Sequence, residues 1–176
     1  YRTPRPQGLP IYQSAWQDGQ RAVRLVRRDA EKRGFDPEKT GVLGFSAGSH
    51  LTVLLGTSAL TPAYDPVDAL DQLPCHINWA VPVYTAYELT DGLIGPNTRN
   101  GDAVDARLSD VFKFDAKTCP MALFHGGTDI YSPCGSTQIY LQLRRMDIPD
   151  EIHLFGDRPH GFMGDPNKGE EGAAYD

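Results

Sequence analysis

Residues 40–57 constrain the fold of this chain more than any other stretch. A short run of β-branched and apolar residues, 40–45, leads through a Gly-Phe-Ser-Ala-Gly turn at 44–48 into a helix-forming run, 47–57. In this strand, turn and helix setting the serine of a G-x-S-x-G match lies on a strained turn that exposes its hydroxyl. Glycines on both sides leave out Cβ atoms, so that strand and helix can pass closely. Ser46 is therefore a candidate nucleophile.

A serine hydroxyl becomes a nucleophile only beside a base that is oriented by an acid, and the chain offers both. Residues 120–125 indicate a buried strand, and the Gly-Gly-Thr-Asp turn after it would present Asp129 at the carboxyl end of that strand. The alternating run 151–155 indicates another strand, and the loop after it carries His160. The order Ser46, Asp129, His160 is the one expected of an α/β-hydrolase.

The predicted acid and base each have rivals. Glu88 and Asp91 follow a predicted strand at 77–83, so either is an alternative acid. The other histidines are His50, His76, His125 and His153. Two of them lie in predicted strands and one in the helix after the serine, where packing or surface roles are expected. His160 is the predicted base because it lies on a loop at the carboxyl end of the sheet.

Three segments of the chain together resemble the α/β-hydrolase esterases. They are the strand and turn 41–48 preceded by Asp36-Pro37, the stretch from His125-Gly126 to Asp129, and His160-Gly161-Phe162. Among these enzymes the chain is most similar to the carbohydrate esterases of the acetyl xylan and feruloyl esterase type, which include xylanase-like and dienelactone-hydrolase-like chains. It departs from them at Ser49, where they usually repeat a glycine, and at 130–133, which replaces a more apolar stretch.

The resemblance implies acyl transfer by a catalytic triad. His160 would deprotonate Ser46, which attacks an ester carbonyl to form an acyl-enzyme, while Asp129 orients His160. The backbone amide of Ala47 would hold the oxyanion. By the same likeness, the substrates are acetyl or feruloyl esters on plant cell-wall polysaccharide such as xylan, and no metal or organic cofactor is implied.

Two other functions stay open. A serine peptidase of the prolyl oligopeptidase type has the same order of nucleophile, acid and base. The second alternative is a non-catalytic remnant that binds carbohydrate or a partner without turnover. It is favoured by the absence of a His-Gly-Gly-Gly-like segment before Ser46, because that loop supplies the second oxyanion donor in α/β-hydrolases.

The alternation of helices and strands predicts an α/β fold with a mostly parallel sheet and helices on both faces. The first helix is expected at 13–33, capped by Ser14 and ended by Gly34, and a later one runs from Pro133 to about Met146. The first helix should cover the sheet with Ala15, Gly19, Ala22, Val23, Val26 and Ala30.

Residues 1–176 are expected to form a single but incomplete α/β-hydrolase domain. The chain opens with Tyr1 in a loop, and residues 170–176 resemble the start of a last helix. These features predict a fragment that is truncated at both ends and lacks the second oxyanion donor. The compartment is left open, with a secreted or periplasmic location among the alternatives.

Charge and composition limit the classes of partner that this chain is expected to bind. The net charge is −6 and the isoelectric point is near 5.3, which disfavours nucleic acid or an anionic membrane surface. No apolar run approaches the roughly 18 residues of a membrane span. A small-molecule or polysaccharide ester is the expected partner. The stretch 84–114 has no clear period and is a candidate for loops that line the site.

Tyrosines and cysteines give weaker signals. Tyr87 and Tyr131 follow predicted strands and are candidates to face a sugar or an aromatic acyl group, although packing is the simpler role. Cys75, Cys119 and Cys134 are expected to be reduced or packed thiols. A disulfide between the first two stays open, provided that the strands after them are neighbours.

Overall fold

A computed structural model of the chain describes residues 8–90 and 107–163. Its α-helices are α1 (Gln13–Arg33), α2 (Ala47–Thr57) and α3 (Cys134–Arg145). Its strands are β1 (Gly41–Phe45), β2 (Trp79–Val83), β3 (Leu89–Thr90), β4 (Arg107–Leu108), β5 (Met121–Gly126) and β6 (Asp150–Phe155). Short 3-10 turns occur at Pro37–Lys39 and Ala69–Gln72. Among the described helices, none combines the length and the apolar character that a membrane span requires.

The larger sheet of the described residues is parallel, in the order β1-β2-β5-β6. The predicted helices and the four strands of this sheet are found within two residues of their expected ends. The pair β3 and β4 is antiparallel and lies within the stretch that the sequence assigned to loops. Because the four strands run the same way, the residues that follow them meet at one edge of the sheet. The predicted α/β arrangement is confirmed.

The core lies between one face of the sheet and the three helices. Val53, Leu54, Ile139 and Leu143 contribute to one buried cluster with strand residues such as Leu123. A smaller cluster, Val83, Tyr84 and Phe162, packs on another part of the sheet. Leu43, Phe45 and Trp79 are exposed. The described helices thus account for one covered face.

Helix α1 buries a different set of side chains from the predicted one. Ala22 and Val26 are exposed, whereas Gln20 and Arg27 are buried. Burial of these polar groups is offset by hydrogen bonds: Gln20 Nε2 donates to the Thr61 carbonyl at 2.8 Å, and Arg27 donates to the His76 carbonyl at 2.8 Å. The sequence pattern predicted that small apolar side chains form the buried face of α1. In the structure, two long polar side chains of this helix are buried as well, and they bind the backbone of neighbouring loops.

The ends of α1 follow the prediction only in part. Gly34 ends the helix with φ = 73°, a left-handed conformation that glycine adopts without strain. Ser14, however, is not the N-cap, because the helix begins at Gln13 with Tyr12 in the cap position. Helix α3 begins at Cys134 with Pro133 in the cap position, one residue later than expected, and Ser132 Oγ accepts a hydrogen bond from the Cys134 amide at 3.2 Å.

The three cysteines are free thiols, two of them buried. Cys75 and Cys119 precede β2 and β5, which are neighbours, so the condition for the open disulfide is met without a bond being formed. Cys75 Sγ instead donates to the Ala59 carbonyl at 3.4 Å. The prediction of packed thiols therefore holds for this pair.

The turn between β1 and α2 is tight at Gly44 and open at Gly48. A Cβ on Gly44 would lie closer than 3.0 Å to Thr52 Oγ1 and to the Gly48 carbonyl. A Cβ on Gly48 would meet no described atom within 4 Å. The expectation that both glycines are sterically required is confirmed for the first and wrong for the second.

We therefore expect Gly44→Ala and Gly48→Ala to affect stability differently. Gly44→Ala should lower the free energy of unfolding by about 1–3 kcal/mol, because it overpacks the turn. Gly48→Ala should be neutral or stabilise by up to about 1 kcal/mol, because alanine favours the helix. Urea denaturation followed by circular dichroism measures both, and equal losses in the two variants would contradict this account of the turn.

Candidate active site

Ser46 occupies the strained turn at the carboxyl end of β1. Its φ of 55° and ψ of −120° lie in a region that residues with a side chain rarely adopt. Its amide donates to the Val83 carbonyl at 3.1 Å, and its carbonyl accepts from the His50 amide at 3.2 Å. These bonds to β2 and α2 hold the strained conformation. Ala47 is the first residue of α2, so its amide lies at the positive end of the helix dipole.

The structure brings Ser46, His160 and Asp129 together. Ser46 Oγ lies 2.8 Å from His160 Nε2, and His160 Nδ1 lies 2.9 Å and 3.0 Å from the two carboxylate oxygens of Asp129. A carboxylate accepts only, so Nδ1 carries the hydrogen and Nε2 is left to accept the serine proton. The three side chains that the sequence selected thus form one continuous hydrogen-bonded chain.

Asp129 is buried but stays ionised at neutral pH. Burial by itself would raise its pKa, but hydrogen bonds from His125 and His160 and from the Tyr131 amide outweigh it and hold the pKa below the ordinary value. The hydrogen bond from the Tyr131 backbone amide to Asp129 Oδ1 is 2.8 Å long. A carboxylate in this state can orient His160 and stabilise a positive charge on it.

Two glycines let the loops of Asp129 and His160 approach each other. A Cβ on Gly126 would lie closer than 3.0 Å to the Arg158 carbonyl, and a Cβ on Gly127 would lie 2.7 Å from the Gly156 carbonyl. At the same place the Thr128 amide donates to the Arg158 carbonyl at 3.2 Å. The Gly-Gly pair that first indicated a turn therefore also sets the distance between acid and base.

The rival residues have other partners. Glu88 is buried, with its two carboxylate oxygens 3.1 and 3.2 Å from Ser136 Oγ, and Asp91 lies outside the described residues.

The other histidines also have partners away from Ser46. His50 is buried among aromatic rings, and this burial lowers its pKa to about 4. His153 stacks on the Phe124 ring at a centroid distance of 4.8 Å. His76 lies beside Glu38 at 3.8 Å.

Glu88 should make stability depend on pH. Burial raises its pKa from near 4.5 to about 7, so the folded protein holds a proton that the unfolded chain has released. The resulting stabilisation is complete below the unfolded pKa and is lost as the pH rises through about 7. The free energy of unfolding should fall by at most about 1.4 kcal/mol per pH unit in this window.

Glu88→Gln removes the ionisable carboxyl group, and the variant is compared with the wild-type protein. Urea denaturation of both proteins between about pH 5 and about pH 8 should show a smaller loss of stability in the variant. Parallel pH dependences in the two proteins would contradict the assignment.

Aromatic side chains surround His160. The rings of Tyr84 and Tyr131 each lie 5.0 Å from the imidazole, centroid to centroid. Tyr131 packs edge-on against Tyr87 at 5.2 Å, and their hydroxyls are 3.3 Å apart. Tyr84 is buried, whereas the other two are half-buried. Both tyrosines that the sequence proposed for substrate contact therefore lie at the rim of this site.

A model of a known protein family matches most of this sequence. The family model described as BD-FAE matches residues 5–143. The chain belongs to the BD-FAE family. The match includes Ser46 and Asp129, while His160 lies beyond its end and is joined to them by the fold.

The BD-FAE chain is similar to parts of two larger proteins. It is 26% identical over 175 residues to endo-1,4-beta-xylanase B of Butyrivibrio fibrisolvens, an alignment that covers 93% of the chain and 26% of that protein. It is 35% identical over 74 residues to esterase LipQ of Mycobacterium tuberculosis, which covers 42% of the chain and 17% of that protein. The chain thus spans about a quarter of the length of the first relative and less of the second.

Solved structures place the BD-FAE chain in the α/β-hydrolase fold. The acetyl ester-xyloside bifunctional hydrolase from Caldicellulosiruptor lactoaceticus superposes with a TM-score of 0.70 at 28% identity, covering 90% of this chain and 60% of that one. Thermogutta terrifontis esterase 2 gives 0.71 at 22% identity, covering 93% and 60%. The same esterase phosphonylated by sarin also gives 0.71. The predicted fold is confirmed.

Proposed function

We propose that this BD-FAE chain is a serine esterase that forms an acyl-enzyme on Ser46. The observation that carries the proposal is the 2.8 Å contact between Ser46 Oγ and His160 Nε2, with Asp129 bonded to the other ring nitrogen. Family membership and the esterase relatives support the same chemistry. In this proposal Ser46 is the nucleophile, His160 is the base and Asp129 is the acid.

The reaction proceeds in two proton-coupled halves. His160 takes the proton of Ser46 as Oγ attacks the ester carbonyl, and Asp129 stabilises the imidazolium that forms. The Ala47 amide donates to the oxyanion. His160 then protonates the departing alcohol, and a water molecule hydrolyses the acyl-enzyme by the same route.

Acetyl or feruloyl esters of xylan are the proposed substrates. One structural relative is named for acetyl ester hydrolysis, and one sequence relative is named as a xylanase. Tyr87 and Tyr131 give the rim of the site an aromatic surface, which suits a sugar ring or the ring of a feruloyl group. Glycosidases use two carboxyl groups that flank the bond. Here Asp129 is bonded to His160, an arrangement that favours ester over glycoside cleavage.

A peptidase of the prolyl oligopeptidase type is the alternative function. Its triad order is the same, so only turnover distinguishes it. We expect hydrolysis of an aryl acetate and of methyl ferulate, each abolished in Ser46→Ala, and none of a prolyl peptide. Serine-dependent cleavage of the peptide without cleavage of either ester would overturn the esterase proposal.

Tyr131 should discriminate between acyl groups. Tyr131→Ala removes a ring beside His160 and should raise KM for methyl ferulate by about threefold to tenfold, the equivalent of one aromatic contact. KM for a small acetyl ester should change less. Tyr131→Phe keeps the ring and serves as the matched control. Equal changes in KM for both esters in Tyr131→Ala would contradict a role in acyl recognition.

A further inference from the structure

A second histidine lies behind the acid of the Ser46 site. His125, in β5, is fully buried, and its Nε2 lies 3.1 Å from the Tyr131 carbonyl oxygen and 3.4 Å from Asp129 Oδ2. Both of these neighbours are hydrogen-bond acceptors. Nε2 must therefore carry a hydrogen, whatever the charge of the ring. His125 faces Asp129 and its loop as a donor.

The other ring nitrogen of His125 is held by two further buried side chains. Nδ1 lies 2.8 Å from Ser136 Oγ, and that oxygen lies 3.1 and 3.2 Å from the carboxylate oxygens of Glu88. The exposed fractions of Ser136 and Glu88 are 1% and 3%. A Cβ on Gly135 would collide with the Glu88 carboxylate, so the first turn of α3 packs directly on it. This row of Glu88, Ser136 and His125 joins the loop before β3 to helix α3 and strand β5.

One proton is shared along this row. Ser136 has a single hydroxyl hydrogen. If it donates to ionised Glu88, Ser136 Oγ accepts from Nδ1 of a cationic His125. If it donates to Nδ1 of neutral His125, Glu88 is protonated and donates to Ser136 Oγ. Both arrangements contain the same atoms and the same net charge, and both leave the hydrogen on Nε2.

The titration behaviour of the two ends agrees with a shared proton. Burial raises the pKa of Glu88 to about 7. Burial alone would lower the pKa of His125, but the hydrogen bond to Asp129 and the charge of Glu88 raise it. The titratable groups that face His125 in the described part of the chain are these two carboxyl groups, and His160 lies on the far side of Asp129.

We propose that His125 is a positioning residue for Asp129, held in place by Ser136 and Glu88 through a shared proton. The role rests on the proposed esterase function. His125 binds the Tyr131 carbonyl, and the Tyr131 amide binds Asp129 Oδ1, so one side chain fixes the backbone that holds the acid. The same loop carries the Tyr131 ring at the rim of the site. His125 therefore sets both the acid and a substrate-facing aromatic side chain.

Two substitutions of His125 separate positioning from packing. His125→Phe keeps the size of the ring and removes the donor, whereas His125→Gln loses the ring and keeps an N–H. We expect His125→Phe to lower kcat for an aryl acetate by about 10- to 100-fold with KM changed by less than about twofold, the cost of a misplaced catalytic group. His125→Gln should stay within about fivefold of the wild type by the same argument.

The pH profile gives a readout that packing would not change. With one donor fewer, Asp129 holds the imidazolium of His160 more firmly, so the acidic limb of kcat/KM in His125→Phe should move to higher pH. If the phenylalanine variant is at least as active as the glutamine variant, or the limb does not move, the proposal is overturned. If His125→Phe does not fold, Ser136→Ala should shift the limb in the same direction.

A measurement without turnover keeps this inference separate from the esterase proposal. Nitrogen-15 NMR of Ser46→Ala should show His125 Nε2 protonated from about pH 5 to about pH 9. An unprotonated Nε2 anywhere in that range would overturn the positioning role. Absence of serine-dependent activity in the wild type would refute the proposed function, while the NMR result would still decide the state of His125.

Discussion

Ser46→Ala should lower kcat for ester hydrolysis by about 10⁶-fold, the largest effect that we expect of any substitution in the chain. Oγ of Ser46 is the atom that becomes acylated in the proposed mechanism, and its 2.8 Å contact with His160 is the path of the proton. Alanine adopts the same strained backbone conformation as serine, so the fold should persist. Any residual rate would come from binding and the oxyanion donor alone.

Ser49→Ala is the matched control for this loss. Ser49 lies one turn along α2, is buried, and bonds Thr85 Oγ1 at 2.5 Å, away from the base. Loss of the Ser49 hydroxyl should lower the free energy of unfolding but leave kcat close to that of the wild type. Aryl acetate hydrolysis and circular dichroism are measured for both variants. A folded Ser46→Ala protein that keeps a tenth or more of the activity would contradict the nucleophile assignment.

Asp129→Asn should lower kcat by about 10⁴-fold. The asparagine oxygen can still accept from the Tyr131 amide, so the loop is preserved. Its NH₂ group, however, would donate to Nδ1 of His160 and shift the ring hydrogen to Nε2, leaving no acceptor for the Ser46 proton. The loss should appear in kcat rather than in KM, because the acid acts on the base and not on the substrate.

Glu88→Gln tests the competing acid in the same assay. Its carboxylate binds Ser136 and acts on His160 only through His125 and Asp129, so we expect a loss of less than about tenfold. If Glu88→Gln costs as much as Asp129→Asn, the assignment of the acid is wrong. Single-turnover acylation with an activated ester gives the comparison for both variants without interference from deacylation.

The grouping of the three candidate residues could be predicted because a parallel sheet brings the carboxyl ends of its strands to one edge. Ser46, Asp129 and His160 each follow a strand of the same sheet. Their order along the chain and their positions after strands were therefore enough to predict that the three side chains lie close together. Gly126 also gave a usable signal, since the glycine pair that marks the turn is what lets the two loops meet.

Other features depend on pairs of distant residues and left no pattern in the sequence. A histidine within a strand looks the same whether it packs or positions, and His125 gains its role from Ser136 and Glu88 on other elements. Burial of Gln20 and Arg27 in α1 likewise depends on backbone carbonyls about 40 to 50 residues away. Periodicity cannot detect such partners, so the predicted face of α1 was partly wrong.

Covalent labelling by a fluorophosphonate, followed by peptide mass spectrometry, shows which side chain of the folded protein is an activated nucleophile. We expect one adduct, on Ser46, that is absent from Ser46→Ala and strongly reduced in His160→Gln, because only a serine with a working base attacks phosphorus rapidly. Labelling at another residue, or equal labelling of the wild type and Ser46→Ala, would contradict it.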